Sequence, residues 1–120
     1  MSTVLVGEDD ADLAPMVRAV LSLGGHETVL CRTGEDVLAR HAEVGAALVV
    51  LDVHLAGALD GLEVVRRLRA ADVTTPVLVM SGRGGDDDRD GALAAGADDY
   101  LPKPFDVARL EARVAALLAD

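Results

Sequence analysis

Aromatic side chains are almost missing from this sequence: there is no tryptophan, and Tyr100 and Phe105 stand alone. The core must therefore be aliphatic, drawn mainly from Ala, Val and Leu in a chain that is 51% hydrophobic. Cysteine is limited to Cys31, which excludes an intramolecular disulfide and suits a reducing compartment. No apolar stretch approaches the roughly 18 residues of a membrane span, and Met1-Ser2-Thr3 runs directly into a strand pattern. These absences predict a soluble, cytoplasmic protein. Positive charge is also short: 11 Lys and Arg face 21 Asp and Glu, a formal net charge of −10. Nucleic acid and anionic membranes would repel that surface, so neither is expected as a direct partner; divalent cations and basic protein surfaces fit it. Solubility alone accounts for most of the acids. The exceptions are those that end buried strands.

What is present is an alternation. Short apolar runs and helical spacing succeed one another five times along 120 residues, with no linker, internal repeat or low-complexity tract. Residues 1–120 are therefore expected to form one α/β domain, large enough to bury roughly two-thirds of its unfolded surface around a parallel sheet. Strands are predicted at about 3–7, 27–31, 46–51, 76–80 and 98–101. Leu13, Val17, Val20 and Leu21 keep helical spacing behind a cap at Asp10 or Asp12, with Pro15 in the first turn and Gly24-Gly25 as the stop. A second helix, about 34–43, buries Val37, Leu38 and Val44; a third, about 62–71, turns Leu62, Val65 and Leu68 inward and Arg66, Arg67 and Arg69 mostly outward. The last helix, about 106–118, has Asp106 as N-cap and the stripe Val107, Leu110, Val114, Leu117. The helix over 86–95 offers one large apolar side chain, Leu93, and contains Gly91, so it is predicted to be the least stable and suited to movement.

In a doubly wound sheet the ligand site lies beyond the C-terminal strand ends, at the switch in strand order. The runs before Glu8-Asp9-Asp10, Asp52, Ser81 and Pro102-Lys103-Pro104 all end there. Glu8, Asp9 and Asp52 crowd carboxylates into one cleft, which raises their pKa values unless a cation compensates. Oxygen ligands without a Cys or His cluster favour a hard ion such as Mg²⁺. Some acids could instead cap the following helix, a role that suits Asp10 or Asp12 better. Lysine is scarce in this chain, and the flanking prolines restrict the backbone so that Lys103 can reach Asp52. Ser81, followed by Gly82, can donate a hydrogen bond to a phosphoryl oxygen.

An acidic pair, an acceptor Asp, a Ser and a Lys-Pro, in this order, resemble the receiver domain of two-component response regulators. The resemblance runs from Val4-Leu5-Val6-Gly7-Glu8-Asp9-Asp10 to Tyr100-Leu101-Pro102-Lys103-Pro104-Phe105 and the closing helix. It implies a flavodoxin-like five-stranded parallel sheet of order 2-1-3-4-5 with five helices, and no effector domain within residues 1–120. By the same resemblance Asp52 is the phosphoacceptor, Glu8, Asp9, Asp52 and the His54 backbone carbonyl hold Mg²⁺, and Ser81 and Lys103 bind phosphoryl oxygens. Tyr100 is then the switch aromatic that turns inward as Ser81 moves. The implied partners are a sensor histidine kinase or phosphotransfer protein, and a second copy or an effector protein on the 86–118 face. Such a domain is a signalling switch that catalyses its own phosphorylation and dephosphorylation.

The sequence also departs from the family. After Asp52 it reads Leu55-Ala56-Gly57-Ala58-Leu59-Asp60-Gly61, without the usual proline and with one extra residue, which predicts a looser or reshaped loop. Gly7 replaces a larger apolar residue, which predicts slack behind the metal site. Arg83, two beyond Ser81, is expected to shield or pair with the phosphoryl group and lengthen its lifetime. A phosphorylation-independent interaction module on the same fold is the alternative reading. A flavin or nucleotide binder is disfavoured, because Glu8-Asp9-Asp10 would repel phosphate from the first loop.

Overall fold

The central apolar runs are buried on both faces, which requires a sheet covered by helices on each side. The computed structural model describes residues 2–82 and 86–119. It contains parallel strands β1 (Thr3–Gly7), β2 (Glu27–Cys31), β3 (Leu48–Asp52), β4 (Val77–Ser81) and β5 (Asp99–Pro102), in the order β2-β1-β3-β4-β5. Helices α1 (Leu13–Leu23), α2 (Gly34–Val44), α3 (Gly61–Ala70), α4 (Asp86–Ala95) and α5 (Val107–Leu118) connect and follow them. This is the expected doubly wound, flavodoxin-like arrangement. Side chains alternate along each strand between two aliphatic cores. Leu5, Val49, Leu51 and Val79 pack with α2, α3 and α4, whereas Val6, Val50, Leu78 and Met80 pack with α1 and α5. Register then brings the strand ends level: Gly7 lies beside Leu51, Asp52 beside Met80, and Ser81 beside Pro102.

Several expectations need correction. β3 starts later than predicted, with Ala47 exposed, and Asp52 is its last residue rather than the first beyond it. The pairing continues past Asp52, because the Val53 N–H donates to the Met80 carbonyl at 3.0 Å. There is no slack behind Gly7. A Cβ there would lie 2.8 Å from Leu51 Cδ2 and 2.9 Å from Val37 Cγ2, so neighbouring side chains already fill the space. On α3, Val64 is fully buried and Leu62 only partly. Val107 is 43% exposed, leaving Leu110 and Val114 to anchor α5.

Helix starts follow the local chemistry. Thr33, Asp60 and Asp106 accept from the amides of Asp36, Glu63 and Arg109. At α1 the work falls to Asp10, whose Oδ1 accepts from the Asp12 and Leu13 amides at 2.8 and 3.0 Å. Those backbone bonds hold the Asp10 carboxyl below its usual range. The helix expected to be weakest has little packing: Ala92 is buried, Ala95 is partly so, and Leu93 is 42% exposed.

Arg69 does not point outward. Its guanidinium donates to the carbonyls of Gly96, Val73 and Thr75 at 2.8–2.9 Å and pairs with Asp98 at 2.9 Å. Asp98 in turn accepts from the Val77 amide at 2.8 Å, so one side chain ties the end of α3 to the starts of β4 and β5. Hydrogen bonds to a charged group are worth about 1.5–3 kcal/mol each, with part of that recovered from water when they are lost. Arg69→Met is expected to lower stability by about 2–3 kcal/mol, read as a lower urea midpoint at constant slope.

Candidate functional site

Glu8, Asp52 and Ser81 are the buried polar or charged side chains among the described residues, at 2%, 5% and 0% exposure. All three stand at the C-terminal sheet edge, where β1, β3 and β4 deliver them. The Glu8 amide donates to the Cys31 carbonyl at 3.0 Å, which extends the β1–β2 pairing by one residue and fixes where its side chain departs. Asp52 is fixed by its own strand. Behind it, Gly61 packs so tightly on the Asp52 carbonyl that any Cβ would overlap it.

Lys103, the only lysine in the sequence, reaches over this edge. Its Nζ donates to Glu8 Oε1 at 2.9 Å and to Asp52 Oδ2 at 3.0 Å. Its own amide donates to the Ser81 carbonyl at 2.8 Å, and the Lys103–Pro104 bond that follows is cis. Burial works against the ammonium, but the hydrogen bonds and charges of Glu8 and Asp52 outweigh it and raise the Lys103 pKa. Burial pushes the Glu8 carboxyl up, and the Lys103 and Asp10 hydrogen bonds oppose it only in part.

Asp9 completes the group. One oxygen from each of Glu8, Asp9 and Asp52 lies within 4.8 Å of the others. Three carboxylates thus face one ammonium, so the cluster is short of positive charge. A hard divalent cation on oxygen ligands would neutralise that excess, so the residues present fit a metal ion.

The remaining predicted residues are distributed around this centre. The His54 amide donates to Asp52 Oδ1 at 3.1 Å while its imidazole is exposed. Ser81 Oγ donates to Asp88 Oδ2 on α4 at 2.7 Å. Tyr100 stands inward at 6% exposure, in the same core as Ala92, and its hydroxyl has no partner among the described residues. Arg83 lies outside the described residues. His26 and His41 are remote from the site, and His41 instead bonds Thr75 at 2.9 Å. Cys31 is buried, and burial together with nearby Asp36 pushes its thiol up to about 12, which makes it a packed side chain rather than a nucleophile.

Sequence reasoning missed the supports. The 56–60 loop is reshaped, not loose: Ala56 bridges to Thr33, Gly57 takes a φ of +94°, and the Leu59 amide donates to Glu35 at 3.3 Å. Asp60 and Glu63 stand at cap and third helical positions, a spacing that could have flagged the helix start. Asp88 was hidden within a run of acids and had no distinguishing signal.

A sequence model described as the response regulator receiver domain matches residues 4–115. The transcriptional regulatory protein PrrA of Mycobacterium leprae is 45% identical over 115 residues, covering 96% of this chain and 49% of that protein. The response regulator MprA of Mycolicibacterium vanbaalenii is 43% identical over 96% of this chain and 49% of its own length. The chain thus spans about half the length of these curated relatives. Among solved structures, a putative response regulator from Chloroflexus aurantiacus aligns with a TM-score of 0.92 at 32% identity, covering 99% of this chain and 98% of that one.

The raised Glu8 pKa has a measurable sign. The neutral form is the one favoured by folding, so its stabilising contribution is full below the ordinary value of 4.5 and is lost as pH rises through the folded pKa. In chelating buffer, the stability of the protein relative to Glu8→Gln should fall with rising pH across that window. Urea unfolding at several pH values measures it, and a flat difference would contradict the burial argument.

Proposed function

The chain belongs to the receiver-domain family of two-component response regulators, and on that premise we propose that Asp52 accepts a phosphoryl group in a Mg²⁺-dependent reaction. A receiver domain of this family is a signalling switch and not a classical enzyme. The observation that carries the proposal is the pairing of the Asp52 carboxylate with Lys103 inside a cluster that is short of positive charge.

Asp52 is the nucleophile. One carboxylate oxygen attacks phosphorus in line, the bond from phosphorus to the donor breaks, and the donor leaves with its electron pair, a histidine imidazole or acetate according to the source. Lys103, held 3.0 Å from Asp52, transfers its ammonium to a phosphoryl oxygen as charge builds there. Ser81 donates its hydroxyl to another. Glu8, Asp9, Asp52 and the His54 carbonyl would hold Mg²⁺, which supplies charge neutralisation for the phosphoryl oxygens when bound. Water later attacks phosphorus, the bond to the Asp52 oxygen breaks, inorganic phosphate leaves and the carboxylate is restored, so the domain resets itself.

The donor is a sensor histidine kinase or phosphotransfer protein with a surface less acidic than this one. Strength of response passes through Ser81 and Tyr100 to the 86–118 face, where Leu93 and Val107 are 42% and 43% exposed and available to a second copy or an effector. No helix among the described residues is long and apolar enough to cross a membrane.

Incubation with acetyl phosphate and Mg²⁺ should add a single phosphoryl group by intact-mass spectrometry. Asp52→Asn should add none, and Lys103→Ala should slow the addition by roughly a hundredfold. A wild-type chain that gains nothing would leave the phosphorylation-independent interaction module as the better reading. Separately, Mg²⁺ should raise the unfolding temperature of the wild type, and Asp9→Asn should lose most of that rise.

A further inference from the structure

Ser81 is fully buried at the end of β4, and its hydroxyl reaches α4: Oγ donates to Asp88 Oδ2 at 2.7 Å. A serine hydroxyl has one proton to donate. While Asp88 holds it, that proton is not available to a phosphoryl oxygen. An ionised carboxylate only accepts, so Asp88 has nothing to offer in exchange. The bond also joins a fully buried strand to a helix with few large side chains in the core. β4 is buried at every position, whereas among the described residues α4 contributes little more than Ala92 and Ala95 to the core. Tyr100 stands inward while this bond is made.

We propose that Asp88 is a positioning residue that holds the Ser81 hydroxyl on α4 and surrenders it when Asp52 carries a phosphoryl group, untethering the first turn of α4. This deepens the phosphoacceptor reading and rests on it. The acyl phosphate and Asp88 compete for one proton donor, so each state of Asp52 specifies one state of the tether. Reciprocity then requires that breaking the tether by mutation favours the phosphoryl-bound form. It also requires that the phosphoryl-bound form loosens α4.

The test is a double-mutant cycle on the full chain, with beryllofluoride in the presence of Mg²⁺ as the probe of the phosphoryl site. Asp88→Ala should bind the probe roughly fivefold to tenfold more tightly than the wild type, the scale of one charge-assisted hydrogen bond partly offset by water. In a Ser81→Ala background the same substitution should change nothing, because there is no hydroxyl to release. Equal tightening in both backgrounds would assign the effect to removal of a negative charge and overturn the proposal, as would no tightening in either. Ser81→Ala breaks the same bond without altering α4 and guards against a folding defect in Asp88→Ala. Amide hydrogen exchange over Ala92–Ala95 should quicken in that variant without any probe, and unchanged exchange there would also overturn the tether. Failure of the wild type itself to bind the probe would mark the phosphoacceptor reading as wrong and remove the proposal with it.

Discussion

The ion pair between Lys103 and the two carboxylates Glu8 and Asp52 is the constraint on which the site depends. Lys103 lies 95 residues from Glu8 and 51 from Asp52 in sequence, and the three meet only because parallel pairing aligns the strand ends at one edge. Two buried carboxylates side by side are costly, and one ammonium cannot balance them together with Asp9. The fold therefore holds a centre whose charge is deliberately incomplete: stable enough to keep its geometry, and still favourable to a cation. Glu8 registers the imbalance most clearly, because burial raises its pKa despite the lysine.

That centre reaches the surface of the domain by a short route. β4 carries Ser81, Ser81 bonds Asp88, and Asp88 stands in the first turn of α4. Other connections to the same region are of a different kind. Arg69 and Asp98 fasten the far ends of α3, β4 and β5 through backbone carbonyls and an amide, well away from the acidic edge. Among the described residues, the C-terminal end of this helix region is held by a network of several bonds, and its first turn bonds Ser81 at the end of β4.

Much of this was legible in the sequence. The alternation of apolar runs with helical spacing gave the sheet, and acids at strand ends located the edge where Glu8, Asp9, Asp52 and Lys103 meet. Burial patterns on central strands are insensitive to the precise boundary, which is why β3 could be shifted by two residues at its start without harming the reading. What escaped depended on tertiary contacts that no local pattern encodes. An arginine on a polar helical face looks solvated until three carbonyls are found around it. A glycine looks like slack until Leu51 and Val37 are seen to occupy the space. Asp88 is one acid in a run, distinguished only by its distance from Ser81.

The contrast between β3–β4 and α4 has a mechanical consequence. The two strands are fully buried and joined by a ladder of hydrogen bonds, whereas α4 is held by small side chains. When bonds rearrange between them, both feel the same force, as two springs in series do, and the more compliant spring takes up nearly all the travel. The sheet thus serves as an anvil. A force acting between a strand end and α4 would therefore displace the outward-facing helix far more than the buried strands beneath it.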